Sequence, residues 1–418
     1  MLKIDRISAW IFIIAFAFLI PGIEYVKFID ELCALLLFGL AVIDSVVNRA
    51  WRRYTLLWII MGIMLFYVVY SLTFVHFNSP RYVMMDFLIE IKPFIPFVVF
   101  MALGIRFTPL EKKVLKILVA ITATVSGVVI LCGMRMIVTV LTHPWIAGLL
   151  MFLSAFTYAV ISLDDKGRLS RNSLFVIFLI LTVGLGCTRS KYYGEYIVAV
   201  FFLLVYRPEM AKFTSWKYVM MTFIFIGLIV LAGWNKINYY FVTGNSDSFD
   251  PNVMESYARP VLYATGGVLL MDYFPFGSGL ASFATYASAI NYSTLYYDYG
   301  LDKIHGLSPD APSFITDAFY PSLSQFGIVG VVLFIVFWGY VYLCLHRKVK
   351  ENPIESRYVY GIGVTLIGFI MIENIGSTTF SQPYGLIAMM LLGYLCSPWL
   401  EFSGLTDSEQ SLKKKIIT

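Results

Sequence analysis

The chain has 418 residues, of which 59% are hydrophobic and only 14% charged, with a formal net charge of +5. Soluble domains carry about 25% charged residues, and the mean hydropathy here is +0.78. A soluble domain is therefore excluded, and no nucleic-acid partner is expected. Five cysteines (Cys33, Cys132, Cys187, Cys344, Cys396) sit in or beside apolar runs. None has metal-ligand spacing, so they are expected as small packing residues rather than a disulfide framework or metal site.

A bilayer-crossing helix needs about 20 apolar residues. Apolar windows between polar breaks predict twelve spans, near 7–23, 29–47, 55–75, 87–105, 114–133, 137–162, 172–188, 192–206, 218–234, 318–345, 357–375 and 384–400. Met1–Arg6 leads into the first run with no small-residue cleavage site, so that helix is expected to stay. Lysine and arginine set the orientation. Of the 31 basic residues, 22 fall in alternate loops and at both termini, among them Arg52, Arg53, Lys112, Lys113, Arg347, Lys348 and Lys413 to Lys415. This bias predicts that both termini are cytoplasmic.

One segment interrupts the alternation. From about Asn235 to Asp317 the chain is expected to run on the outer side, and loops beyond about 15 residues are usually functional or disordered. Ten tyrosines between Tyr239 and Tyr299 make it too aromatic for a disordered linker. Val261–Met271 is predicted as a short helix. The organisation is thus spans one to nine over 1–234, the loop over 235–317, spans ten to twelve over 318–400, and a cytoplasmic tail over 401–418.

Polar groups at membrane depth are the informative ones, because each charge there costs a few kcal/mol. Few lie mid-span; most crowd the expected outer helix ends: Asp86, Glu90, Lys92, Arg135, Arg189, Lys191, Glu195, Glu373 and Asn374. This crowding predicts an outward-opening polar chamber under the loop. Arg189 follows a glycine-rich helix end, Gly184-Leu-Gly-Cys-Thr188. With Lys191 it has the charge to bind a pyrophosphate, and arginine's planar fork suits phosphate oxygens. The competing reading is a snorkelling arginine at a helix end, and Lys191 and Glu195 have the i,i+4 spacing of a simple pair. Arg259, in Tyr257-Ala-Arg-Pro, is either a second anion ligand or a solvated surface charge. The following Pro275-Phe-Gly277-Ser-Gly279 suggests a tight turn with amides facing a ligand. His305 is a candidate base or plain loop surface. Asp317 is a candidate base or a helix-start carboxylate favoured by the dipole.

Four of these features, in order, resemble the O-antigen polymerase and ligase superfamily of GT-C-type membrane glycosyltransferases. They are twelve spans with a long outer loop before the tenth, Gly186-Cys-Thr-Arg189-Ser190, Arg259 followed by an apolar helix and the Pro275–Gly279 turn, and Ser324-Gln-Phe-Gly-Ile-Val-Gly330 entering an apolar span. The resemblance covers roughly residues 180–345. Where the family's ligases carry a histidine, this chain has Asp317, and His305 stands a dozen residues earlier; this suits the polymerases.

The resemblance implies an all-α integral membrane protein of about twelve helices in a bacterial inner membrane. It implies polymerisation of undecaprenyl-pyrophosphate-linked repeat units into O-antigen, capsule or exopolysaccharide on the periplasmic face. Its partners would be glycan donor and acceptor, the bilayer, a chain-length regulator and a flippase. Arg189, Arg259, Asp317 and His305 would be catalytic, and Lys191, Tyr257, Gly277 and Gly279 would bind substrate. Neither metal nor cofactor is expected. The alternatives are a ligase transferring polysaccharide to lipid A–core, and a transporter or flippase for a lipid-linked sugar. Neither the internal repeats nor the midplane broken helices of transporters are evident in the sequence.

Overall fold

The structure, a computed structural model, describes residues 3–20, 22, 28–207, 258–351 and 356–398, with isolated positions between 220 and 238. All regular structure among the described residues is helical. A helix bonds its own backbone groups internally, as hydrocarbon requires of any spanning segment. Four helical stretches among the described residues are long and apolar enough to cross a membrane: Trp51–Val75, Pro109–Leu131, Pro144–Ile161 and Tyr320–Lys350. Arg171–Cys187 and Pro383–Cys396 are shorter apolar helices. The apolar windows of Pro144–Ile161 and Tyr320–Lys350 are 83% and 22% buried. The first is therefore largely enclosed by other helices, and the second turns an apolar face outward, which water would penalise and lipid does not.

The order begins with α1 (Ile4–Ala17), α2 (Ile29–Val47) and α3 (Thr55–Tyr70), the last continued by a π turn, Ser71–Val75. The run expected as one span at 87–105 is two helices, α4 (Pro80–Ile91) and α5 (Phe94–Leu103). Pro93 lacks the N–H and the ring clearance that a continuous helix needs. The break carries Lys92, buried and ion-paired with Asp30 and Glu31 of α2. α6 (Pro109–Leu131) opens on a capping box between Thr108 and Glu111.

The expected span at 137–162 is also broken, into α7 (Met134–Leu141) and α8 (Pro144–Ile161). Pro144 opens α8, and His143 caps it by accepting from the Trp145 amide. α9 (Arg171–Gly184), a tight 3-10 turn (Leu185–Cys187) and α10 (Ser190–Val200) follow. The expected span at 218–234 lies largely outside the described residues.

The helix predicted at Val261–Met271 is longer, α11 (Ala258–Asp272), and short helices α12 (Tyr286–Ile290) and α13 (Leu295–Asp298) follow it. This segment has its own apolar core, including Leu262, Leu269, Phe283, Tyr296, Leu307 and Ile315. Each such side chain, fully buried, contributes about 1.5–3 kcal/mol, which holds the segment folded. After a 3-10 stretch (Tyr320–Phe326) come α14 (Gly327–Glu351), α15 (Arg357–Glu373) and α16 (Pro383–Cys396).

The turn at 275–279 docks on that 3-10 stretch. Ser278 N–H donates to Ser324 O at 3.3 Å and Gly279 N–H to Gln325 O at 2.9 Å. Gly277 (φ +83°) has no room for a Cβ, which would meet Gly327 N at 2.2 Å. Its own amide donates to Tyr273 O. The amides expected to face a ligand are thus spent on the protein's own carbonyls, and Gly277 and Gly279 allow close packing instead.

Candidate functional site

Five elements bring polar side chains to one end of the helix set. α8 contributes its cap, His143, and Trp145 in its first turn. α10 contributes Arg189, immediately before its first residue, and Lys191. α11 contributes Arg259 in its first turn, the approach to α14 contributes Asp317, and the end of α15 contributes Glu373.

Glu373, 4% exposed, is the hub. Its Oε2 accepts from Lys191 Nζ at 3.1 Å, from Trp145 Nε1 at 2.8 Å and from Ser377 Oγ at 3.3 Å. Its backbone oxygen takes a second bond from Lys191 Nζ, at 2.9 Å. The i,i+4 pairing of Lys191 with Glu195 does not form. Glu195 is buried, and neither of its carboxylate oxygens has a hydrogen-bond donor among the described residues. The shared helix loses to the longer-range partner because Glu373 also offers a carbonyl, so the ammonium is bonded twice.

Arg259 forms an ion pair with Asp317, both side chains partly exposed. Arg189, half-buried, makes no ion pair or side-chain hydrogen bond among the described residues. Of the three cations, two are matched by carboxylates among the described residues, Lys191 by Glu373 and Arg259 by Asp317. The glycine-rich end ahead of it serves packing: a Cβ on Gly184 would meet the Tyr192 hydroxyl at 2.0 Å, and that hydroxyl donates to Leu181 O.

His143 was not singled out in the sequence. It lies exposed in the break before α8, outside the apolar helix. Partial desolvation by the surrounding helix ends pushes its imidazole below the ordinary value, the Arg189 cation pushes the same way, and Asp317 opposes. Its Nδ1 accepts from Trp145 N–H at 3.1 Å, so the neutral ring carries its proton on Nε2 and presents a donor. The signal available in the sequence was His143-Pro144 inside an apolar run, since proline disfavours helix for itself and its predecessor.

The remaining candidates fall elsewhere. His305 is exposed, and its ring contact is with Phe314 at 6.2 Å; no hydrogen bond or ion pair links it to the arginines. Tyr257 lies outside the described residues. Asp86, expected at the rim of a chamber, is fully buried and accepts from Ala281 N–H at 2.7 Å, so it tethers the loop to α4. Tyr263, on the helix of Arg259, donates to Ile375 O at 2.9 Å. Burial pushes its phenol up to about 12 against the pull of Arg259, which keeps it a neutral donor.

The cluster therefore suits a compact, multiply charged anion beside a neutral donor and a carboxylate. A scan of protein-family models and a comparison with curated proteins both return no match to this chain.

Proposed function

We propose that this chain is a membrane glycosyltransferase that polymerises polyprenyl-pyrophosphate-linked oligosaccharide units. It would have twelve spans and cytoplasmic termini, with the cluster on the outer face of a bacterial plasma membrane. One observation carries the reading: a single turn, residues 373–377, holds Lys191 through Glu373 and lies against the Arg259 guanidinium through Gly376, while Arg259 pairs with Asp317. Two arginines and a carboxylate are thus carried by elements that this turn ties together, with His143 at the cap of α8.

The reaction this set suits is glycosyl transfer with a pyrophosphate leaving group. The oxygen of an acceptor sugar hydroxyl attacks the donor's anomeric carbon. The bond from that carbon to the phosphate oxygen breaks, and its electron pair leaves on the lipid pyrophosphate. Arg189 and Arg259 hold the phosphates and stabilise the charge that grows there, an electrostatic contribution that can dominate a rate. Asp317 orients the acceptor hydroxyl and takes its proton. His143, as the neutral Nε2–H tautomer, donates to a sugar or phosphate oxygen without adding charge. Lys191, two residues from Arg189, is held by Glu373 and fixes the start of α10.

The test is the glycolipid profile of cells lacking this gene, resolved by length. Loss of the ladder, with a single repeat unit left on the carrier, is expected. A ladder retained on the carrier but absent from lipid A–core would replace polymerase by ligase, and an unchanged profile would remove the enzyme reading.

A further inference from the structure

The turn 373–377 after α15 touches every element that carries a residue of the cluster. Glu373 binds Lys191 of α10 and Trp145 of α8. Asn374 O accepts from Phe319 N–H at 3.1 Å, two residues beyond Asp317. Ile375 O accepts from the Tyr263 hydroxyl, one turn along α11 from Arg259. Ser377 Oγ closes the turn on Glu373 O at 2.6 Å. A backbone tied at four places is a firm platform.

On that platform, Gly376 lies beneath the Arg259 guanidinium. A Cβ at this position would stand 3.1 Å from Cζ, 3.2 Å from Nη1 and 3.4 Å from Nε. Three atoms of one planar group are approached at nearly equal distances, so the glycine meets the face of the guanidinium and not its edge. The edge carries the hydrogen bond to Asp317.

We propose that Gly376 is a positioning residue: its bare backbone sets the plane and height of the Arg259 guanidinium, and so the direction of its donors toward a bound pyrophosphate. This rests on the reading of Arg189 and Arg259 as pyrophosphate ligands. Any side chain at 376 lifts the guanidinium off the turn by a few tenths of an ångström or more. The pair with Asp317 then shifts with it, and the donor geometry for a phosphate is lost although the charge remains.

The test is a double-mutant cycle on the full-length protein in detergent, with inorganic pyrophosphate as the probe and calorimetry as the readout. Gly376→Ala is expected to raise the Kd about fivefold or more. In an Arg259→Lys background, where no planar group covers the glycine, the same alanine is expected to change the Kd less than about twofold. Thermal unfolding of each variant checks the fold. An equal loss in both backgrounds, or no loss in either, would overturn the positioning role. Arg189→Ala is the separate control for the site, expected to weaken binding at least about tenfold. If Arg189→Ala binds like wild type while the cycle shows coupling, the positioning role stands and the pyrophosphate site loses Arg189. If the wild type does not bind pyrophosphate, the functional reading falls and this inference falls with it.

Discussion

Lys191 and Glu373 meet across 182 positions of sequence, with Nζ 3.1 Å from Oε2 and 2.9 Å from the backbone oxygen of the same residue. The contact joins the start of α10 to the end of α15 and holds in place the helix that Arg189 precedes. Glu373 is 5% exposed at its side chain and Lys191 18%, so neither charge is well served by solvent if its partner is lost.

Glu373→Ala is therefore expected to destabilise the protein by about 3 kcal/mol, because removing one member of a buried pair leaves the other uncompensated. The Trp145 indole also loses its acceptor. Thermal unfolding in detergent measures this. An unfolding temperature equal to wild type would mean that Lys191 finds another acceptor and that the hub is dispensable.

The pH dependence of transfer is expected to carry the signature of His143. Its imidazole is held below the ordinary value of 6.5 by partial desolvation and by Arg189, and in the proposed reaction the neutral form is the working donor. Activity is then present above the folded-state pKa and falls as pH drops through it. The stability contribution has the same sign: a depressed histidine pKa stabilises the fold above the unfolded value and is lost as pH falls through the folded one. His143→Gln keeps a donor and cannot titrate, so the acid limb below the ordinary imidazole value should flatten. An acid limb identical to wild type would assign it to another group.

Asp317 and His305 make opposite predictions for the base. Asp317→Asn is expected to lower the transfer rate about 10² to 10⁴-fold, the range of a general base. His305→Ala, at an exposed position whose ring contact is Phe314, is expected to stay within about twofold of wild type, as surface substitutions do. Rates measured with purified donor and acceptor decide between them. The reverse pattern would move the chemistry onto the loop.

Much of this arrangement was legible in local sequence, because apolar runs and helix ends follow from neighbouring residues. The α11 helix and the placement of Arg189 ahead of α10 are of this kind. The tyrosines of the loop mark it only as too aromatic for a disordered linker; Tyr296 is fully buried in its core with its hydroxyl accepting from Ala284 N–H, while Tyr286 and Tyr297 are exposed. The breaks at Pro93 and Pro144 were hidden because a hydropathy window averages over a single proline. His143 was lost in the same averaging. The pairing of Lys191 with Glu373 and the seat of Arg259 on Gly376 depend on residues far apart in sequence, which local spacing does not encode. Gly277 and Gly279 suggested a ligand turn, since a positive φ looks the same whether its amides meet a phosphate or, as here, the carbonyls of Tyr273 and Gln325.

The most direct measurement is the length profile of carrier-linked glycan in a deletion strain complemented with Arg189→Ala or Arg259→Ala, alongside immunoblots of the membrane fraction. The account predicts full-length protein in the membrane at wild-type level and no ladder beyond a single repeat unit with either variant. A near-normal ladder with both would contradict it, because the two arginines would then not hold the leaving pyrophosphate.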